Sequence, residues 1–346
     1  MALAAILALL VLMALAVYFW DPYNYYRLQG DRLKYVASSY IDAGIIRNAD
    51  YDSVIIGSSM SQNFNPETFR KKLDADPVKL CTGGLTLEQR DLFYKTVRRE
   101  HPDVRRFFIE IQLSTFNAGD DDMSDTPLYL YDDDPWNDYR YLLGYETWTR
   151  GMLVSLLYAG AEAFGIEMDT MHNLESVDNV GDWYTRYKLG RDQVINKYRK
   201  NIDAVSYQET DGMYERMCEN ADRKLCSVIE DGNEYVFYFP PYSALFWYKA
   251  QQSGYDLCYY EVKEHILKQL SGYENVSVYD FQSDPLTNDL DNYRDTSHYG
   301  RHISEYMTEC FSTGEHKVAS SDFERLKAGH EELLTSFKEE NKDWLR

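Results

Sequence analysis

Two short motifs carry the side chains most able to do chemistry in this chain. Ser-Val-Ile-Ile-Gly-Ser-Ser at 53–59 is an apolar, β-branched run that stops at a turn, as a buried strand does where it ends. Asp-Thr-Ser-His at 295–298 can present a carboxylate and an imidazole from one loop or helical turn. A serine nucleophile needs a base to accept its proton and an anion to orient that base. The two motifs together predict such a serine site.

Each motif also has a purely structural interpretation when it stands alone. Gly-Ser-Ser is common in turns, and an Asp-x-x-His pair is often a helix cap followed by a surface histidine. The catalytic interpretation therefore depends on the elements around the motifs, which must bring position 59 and positions 295–298 together.

Short apolar runs alternate with helical patterns, which predicts a parallel sheet with crossover connections. Helical patterns cover 86–100, 243–271 and 299–311, and Asn65-Pro66 is a helix start signal. We expect a flavodoxin-like three-layer α/β/α sandwich, in which ligands gather at the carboxyl ends of the strands, and Ser59 follows such an end. The predicted strands are residues 53–57, 78–82, 106–113, 234–239 and 276–281.

This alternation breaks between residue 114 and about residue 231, which we interpret as a helical insertion with helices near 146–163 and 183–199. Its acidic runs, 120–122 and 132–134, lack the Gly and terminal Glu of a calcium loop, so we expect solvated loops. Residues 320–346 have the pattern of a charged amphipathic helix. The predicted organisation is a transmembrane anchor (1–21), a juxtamembrane segment (22–50), the α/β domain (51–313) and a helical tail (314–346).

The residues 52–64 and 293–299, which contain the two motifs, resemble the SGNH (GDSL-type) hydrolase superfamily. Its Gly-Ser-Ser variant with an anchoring N-terminus is most similar to DltD-like proteins, which act in D-alanylation of teichoic acids in Gram-positive bacteria, and to anchored proteins that work with membrane-bound O-acyltransferases. The resemblance implies that Ser59 is the nucleophile, His298 the base and Asp295 the orienting acid. Ser58 takes the place of the Asp in Gly-Asp-Ser and receives no nucleophilic role.

The resemblance also implies an oxyanion hole, a set of donors for the oxygen that becomes negative during attack. The Ser59 amide is one candidate, and Gly83 or Gly84 matches the glycine that follows the second strand, although a glycine there also suits an ordinary turn. The expected Asn after the third strand is absent, and Gln112 is the candidate to replace it, as DltD-like proteins also depart from the standard Asn. Tyr242 is a candidate for the cleft wall.

Composition excludes some partners. The chain has 57 acidic and 36 basic residues and a net charge of −21, which argues against nucleic acid, whose phosphates require a basic face. The 31 tyrosines suit either a glycan groove or an ordinary core and surface. The five cysteines are odd in number and lack Cys-x-x-Cys spacing, so we expect neither a metal nor a full disulfide framework, although Cys218 and Cys226 could pair in an oxidising compartment. The chemistry needs no cofactor.

The N-terminal segment Ala2–Trp20 is unbroken in its apolar character and long enough to cross a hydrocarbon core of about 30 Å. It ends in bulky aromatic residues, which suit a membrane interface and offer no signal-peptidase site, so we expect an uncleaved signal anchor in place of a buried core helix. Arg27, Arg32 and Lys34 mildly favour a cytoplasmic domain. The family resemblance implies the opposite placement, with the domain outside the cell.

Two classes of function follow from these expectations. The first is a membrane-anchored serine acyl-transfer enzyme, an O-acyltransferase or esterase, that moves a D-alanyl or acetyl group from an acyl carrier or a membrane-bound O-acyltransferase to a cell-envelope polymer. The second is a non-catalytic scaffold or binding partner of a membrane-bound O-acyltransferase. The set of Ser59, His298 and Asp295 favours the enzyme, because a scaffold needs none of the three groups.

Overall fold

The computed structural model describes residues 1–28, 38–117, 123–124, 126–166, 188–200 and 210–345. The strands are Ser53–Gly57 (β1), Pro77–Cys81 (β2), Arg106–Glu110 (β3), Glu234–Phe239 (β4), Val276–Asp280 (β5) and Lys317–Val318 (β6). The helices are Ala2–Trp20 (α1), Ser38–Asn48 (α2), Pro66–Leu73 (α3), Leu87–Glu100 (α4), Tyr139–Leu142 (α5), Leu153–Ala163 (α6), Arg191–Lys200 (α7), Met213–Lys224 (α8), Ala244–Ser253 (α9), Asp256–Leu270 (α10), Arg301–Thr313 (α11) and Phe323–Asn341 (α12).

The sheet is mostly parallel and has the strand order β2-β1-β3-β4-β5-β6. The five longer strands are parallel to their neighbours, and β6 adds to β5 in the antiparallel direction. The predicted α/β class and the five predicted strands are confirmed. The strand predicted over 106–113 ends earlier, at Glu110, because the chain leaves the sheet for a 3-10 turn at Leu113–Asn117. The short β6 was not predicted.

Helices cover both faces of the sheet. Phe107 and Phe108 are neighbours on β3, so their side chains point to opposite faces. Phe107 packs against Tyr94 of α4, with ring centroids 5.1 Å apart. Phe108 packs against Phe69 of α3 at 4.9 Å and against Phe311 of α11 at 5.9 Å. One face therefore carries α3 and α11, and the other carries α4.

The helices next to the strand ends begin at local capping signals. The side chain of Asn65 accepts a hydrogen bond from the Glu67 amide at the start of α3, where the sequence predicted a helix. Thr86 and Gln89 form a reciprocal capping box at the start of α4. These caps fix where the chain turns from the carboxyl ends of β1 and β2 into their helices.

The chain between β3 and β4 contains α5 to α8 in its described parts. The helix predicted over 146–163 is observed as a π-helical turn, Thr147–Met152, followed by α6. The helix predicted over 183–199 is confirmed in its second half by α7. Residues 183–187 and the acidic run 120–122 lie outside the described residues. The acidic run 132–134 caps a turn, with Asp134 accepting from the Trp136 amide at 3.0 Å.

The helix α1 is long and apolar enough to cross a membrane, and most of its side chains are exposed. Its end is held by the rest of the protein. Val17 is buried, and Asp21, which terminates the helix, accepts hydrogen bonds from the amides of Tyr25 and Tyr26 and from the Tyr141 hydroxyl at 2.7 Å. The carboxyl end of α1 is therefore part of the folded core.

The C-terminal residues 314–345 contribute β6 and α12, which confirms a helix within 320–346. Phe323, Leu334 and Phe337 of α12 are buried. All five cysteines are free thiols, so Cys218 and Cys226 are not paired. Many tyrosines belong to the core, which supports the structural interpretation of their abundance; the fully buried ones include Tyr23, Tyr141, Tyr235, Tyr238, Tyr293 and Tyr299.

Candidate active site

Ser59 lies in the turn that follows β1, at the carboxyl edge of the sheet. This turn is tight because Gly57 approaches the side chains around it. A Cβ at position 57 would lie 2.8 Å from Glu110 Oε2 and would clash with Ser61. The glycine of Gly-Ser-Ser is therefore required by close packing, and it lets the turn place Ser59 beside the loop that follows β5.

Three side chains from the two sequence motifs form one hydrogen-bonded chain. Ser59 Oγ lies 2.8 Å from His298 Nε2. His298 Nδ1 lies 2.9 Å from Asp295 Oδ1 and 3.0 Å from Asp295 Oδ2. Their motifs predicted that these three residues would meet, and the structure brings them together. Their catalytic role stays a prediction.

The loop that carries Asp295 and His298 is fixed by its own backbone. A single antiparallel bridge joins Tyr293 to Tyr299, and the Arg294 amide donates to the His298 carbonyl at 2.9 Å. Inside this loop, the amides of Ser297 and His298 donate to Asp295 Oδ1 at 3.0 and 2.9 Å. The carboxylate is thus oriented by local bonds before it meets the imidazole.

The same loop is attached to the end of β4. The Tyr293 hydroxyl donates to the Pro241 carbonyl at 2.8 Å, and the Ser243 hydroxyl donates to the Thr296 carbonyl at 2.6 Å. Asn63 Nδ2, which follows the Ser59 turn, donates to the Tyr299 carbonyl at 3.2 Å. These bonds join the loop to both sides of the site and hold His298 over Ser59.

The surroundings of Asp295 favour its ionised form. Burial raises the pKa of Asp295, but the hydrogen bonds and charge of His298 and the amides of His298 and Ser297 outweigh burial and hold that pKa well below its usual range. An ionised Asp295 accepts the Nδ1 proton of His298, which leaves Nε2 free to accept the Ser59 proton. Lys197 Nζ lies 3.8 Å from Asp295 Oδ2.

A buried carboxylate, Glu110, lies beneath the serine turn, and the sequence analysis gave it no role. Glu110 Oε1 accepts from Ser58 Oγ at 2.6 Å and Oε2 accepts from the Ser58 amide at 3.0 Å. Ser61 Oγ also donates to Glu110 and lies 2.5 Å from the Tyr238 hydroxyl. The only sequence signal was a charged residue at the end of an apolar strand with buried faces.

Burial raises the pKa of Glu110, and the hydrogen bonds from Ser58 and Ser61 and the charge of His298 only partly offset it. The Ser58 hydroxyl donates to this carboxylate, which belongs to the neighbouring strand β3. Glu110 therefore ties the serine turn to β3 and fixes the backbone next to Ser59.

The glycines predicted for the oxyanion hole lie in the loop after β2. A Cβ at Gly83 or Gly84 would meet no atom within 4 Å, so neither glycine is required by packing. Gly84 has a φ of +69°, which favours glycine for conformational reasons. The structure gives Gly83 no such reason, and it does not distinguish the two as donors.

Gln112 lines a small cleft beside the serine turn. Arg90, Glu110, Thr86 and Ser58 also line it, and the cleft is partly open to solvent. Gln112 Oε1 is buried and has no hydrogen-bond partner in the part of the chain that the structure describes. Ser59 and His298 are not among the residues that line this cleft, so the cleft by itself does not bring the Gln112 side chain to the Ser59 hydroxyl.

Arg90, in the same cleft, is 4% exposed, and burial lowers the pKa of its guanidinium to about 10. Tyr242 is not on this cleft. It is 3% exposed and its ring stacks on Phe246 with centroids 4.3 Å apart, so it packs behind the site as a core residue. Within the described ranges, no group of His, Cys, Asp and Glu side chains could hold a metal ion.

The chain matches no protein-family model and no curated protein.

Proposed function

We propose that this chain is a membrane-anchored serine acyl-transfer enzyme of the SGNH type. The observation that carries the proposal is the continuous chain from Ser59 Oγ through His298 to Asp295, with separations of 2.8 and 2.9 Å. The strand order of the five parallel strands, 2-1-3-4-5, supports the proposal, because it is the order of flavodoxin-like folds, whose ligands bind at the carboxyl ends of the strands. Ser59 lies at that edge.

The proposed chemistry has two halves with one covalent intermediate. Ser59 Oγ bonds to the carbonyl carbon of an ester or thioester while His298 Nε2 takes the hydroxyl proton. The leaving group departs with that proton and an acyl-Ser59 remains. An acceptor hydroxyl then gives its proton to His298 and attacks the acyl-Ser59, and Ser59 Oγ leaves and regains the proton. Hydrolysis is the same sequence with water as the acceptor.

The oxyanion in each half needs nearby donors. The Ser59 amide, an amide of the loop containing Gly83 and Gly84, and the side-chain amide of Gln112 are the proposed donors. Gln112 stands where the SGNH pattern has an Asn, and it lines the cleft beside Ser58.

The proposed location is the cell membrane, with α1 as a single span and the domain outside the cell. The burial of Val17 and the bonds from Tyr25, Tyr26 and Tyr141 to Asp21 support retention of α1, since removing α1 would remove part of the core. The proposed acceptor is a cell-envelope polymer such as teichoic acid. The acyl group, D-alanyl or acetyl, would come from an acyl carrier or a membrane-bound O-acyltransferase.

The test of this function is the ester content of the cell envelope. Cells that lack the native gene are given the wild type, Ser59→Ala or Ser114→Ala, and base-labile acyl groups on envelope polymers are measured. Ser114 is an exposed serine near the same strand edges and serves as the matched control. We expect esters with the wild type and Ser114→Ala and none with Ser59→Ala. Full ester content with Ser59→Ala would favour a scaffold.

A further inference from the structure

Among the described residues outside α1, large exposed apolar side chains are concentrated in one segment, residues 128–166, which packs on the end of α1. Trp20 Nε1 of α1 donates to Ser155 Oγ of α6 at 2.7 Å. Gly151 lies so close to Pro22 that a Cβ there would approach the proline ring to 3.0 Å. The large apolar side chains exposed in this segment are Leu128, Trp136, Tyr139, Tyr145, Leu153, Leu156, Leu157, Phe164 and Ile166.

The helix α6 has one buried side and one exposed side. Ser155 lies on its buried side, and Met152, the last residue of the preceding π-helical turn, is also buried. Leu153, Leu156 and Leu157 lie at spacings of three and four residues on the other side, so they form one stripe, and they are 55%, 45% and 55% exposed. No charged residue occurs between positions 150 and 162. An uncharged helix surface with an apolar stripe belongs against a protein core or in a membrane, and this stripe is outside the core.

We propose that α6 is a second membrane contact, whose stripe of Leu153, Leu156 and Leu157 lies in the acyl-chain region of the leaflet that α1 enters. This inference rests on the proposed role of α1 as a membrane anchor. The eleven residues of α6 span about 16 Å, which is too short to cross a hydrocarbon core of about 30 Å, so the helix enters or lies along one leaflet.

A lipid bilayer fits this stripe because the stripe continues the surface of α1. Phe19, in the last turn of α1, is 69% exposed, and the neighbouring Trp20 is the residue bonded to α6. Any bilayer that surrounds the end of α1 is therefore next to α6. Trp136 and Tyr145 of the same segment are 87% and 78% exposed, and Trp and Tyr are the residues enriched at membrane interfaces.

A second contact would change how the domain sits on the membrane. A single helix leaves a domain free to rotate about the membrane normal and to tilt. Two contacts joined by the Trp20–Ser155 bond and by the bonds to Asp21 would fix the tilt, and so the direction in which the carboxyl edge of the sheet faces.

Lipid photolabelling tests this inference directly. The full-length protein is reconstituted in phosphatidylcholine–phosphatidylglycerol vesicles that contain a lipid with a diazirine in its acyl chain, and carbene adducts are mapped by mass spectrometry after digestion. We expect adducts in peptides from α1 and from α6, and none in the peptide containing Leu257, an apolar residue of α10 that is 63% exposed. The double variant Leu153→Gln, Leu157→Gln should lose the α6 adducts and keep the α1 adducts.

The outcomes separate this inference from the anchor itself. Adducts on α1 without adducts on α6 would overturn the second contact and leave the anchor intact. A protein without adducts on either helix would overturn both membrane assignments. Adducts on α6 that persist in the double variant would show that the stripe is not the contact.

Discussion

The two sides of the candidate site differ in how many hydrogen bonds and packing contacts fix their residues. On the proton-transfer side, Asp295 accepts two amides and the imidazole, and the loop is closed by the bridge between Tyr293 and Tyr299. On the oxyanion side, no packing contact fixes Gly83, and Gln112 Oε1 has no partner among the described residues. Under the proposed function, this difference predicts that the base is oriented before substrate arrives, whereas the oxyanion donors become ordered with it.

The largest effect should come from loss of the base. His298→Ala removes the group that takes the Ser59 proton, so we expect kcat/KM for acyl transfer from a short-chain p-nitrophenyl ester to fall roughly 10⁴-fold or more. His302→Ala is the matched control, because His302 is exposed and its Nε2 lies 3.0 Å from Asn292 Oδ1, away from Ser59. Similar rates for His298→Ala and the wild type would break the proton-transfer account.

Loss of the orienting carboxylate should have the next largest effect. Asp295→Asn puts an amide against His298 Nδ1 and favours the wrong tautomer, and we expect kcat to fall by about 10³- to 10⁴-fold. Asp291→Asn, at an exposed carboxylate in the same region, should leave kcat unchanged. Wild-type kcat in Asp295→Asn would mean that the backbone of the loop alone orients the imidazole.

The stability of Asp295→Asn should depend on pH in a defined direction. The pKa of Asp295 is lower in the folded protein than in the unfolded chain, so its ionised form stabilises the fold above the ordinary carboxyl pKa of about 4. This stabilisation is lost as pH falls toward the folded pKa. Urea unfolding should therefore show a gap between wild type and variant at pH 7 that narrows below pH 4. A gap that widens in acid would contradict the assignment.

Loss of a proposed oxyanion donor should lower kcat less than loss of the base or of the orienting carboxylate. Gln112→Ala removes one side-chain donor and should lower kcat about 10²-fold with little change in KM. Gln112→Glu should lose at least as much, because a carboxylate faces the developing negative charge. If both variants keep wild-type kcat, Gln112 is not an oxyanion donor, and backbone amides alone form the oxyanion hole.

Beneath the serine turn, the expected effect is on stability. Glu110→Gln places an amide N–H group against the donors of Ser58 and Ser61, so we expect a loss of about 1–3 kcal/mol in the free energy of unfolding, measured with urea. Glu234→Gln, in an exposed pair with Arg106, is the control and should change it by less than about 1 kcal/mol. Equal effects would mean that Glu110 does not hold the turn.

The smallest effect should be at Tyr242. Its hydroxyl is buried without a partner in the described structure, so Tyr242→Phe should change the free energy of unfolding by less than about 0.5 kcal/mol. Tyr238→Phe removes a hydroxyl that contacts Ser61 and should cost about 1 kcal/mol. A drop in activity for Tyr242→Phe without a drop in stability would show that Tyr242 contributes to the cleft wall, as the sequence predicted.

The sequence predicted elements whose signal is local. The strand Ser53–Gly57 and the strand Glu234–Phe239 were predicted with their observed bounds, because each is a continuous apolar run. The strand Lys317–Val318 was missed because two residues are too few for a pattern, and their pairing with β5 is a tertiary contact. The end of β3 was placed too late because Ile111 and Leu113 continue the apolar run after the chain has turned.

The residues of the candidate site also divide into those with a local sequence signal and those without one. Ser59 and the Asp295–His298 pair were found because each lies in a short motif. Glu110 was missed because its partners, Ser58 and Ser61, are about fifty residues away along the chain, and a lone carboxylate gives no sign of what it will contact. Tyr242 was placed on the cleft because an aromatic residue after a strand can face either way, and here it packs on Phe246.

The proposed function makes one central claim about the molecule: His298 and Asp295 activate Ser59. The rate and position of fluorophosphonate labelling measure this activation directly. Only an activated serine is phosphonylated readily, and intact-mass and peptide analysis identifies which serine reacts. We predict one adduct in the wild type, on Ser59. Ser59→Ala and His298→Ala should give no adduct, while their circular dichroism spectra match the spectrum of the wild type. A folded wild-type protein that stays unlabelled, or that is labelled on Ser58, would contradict the claim.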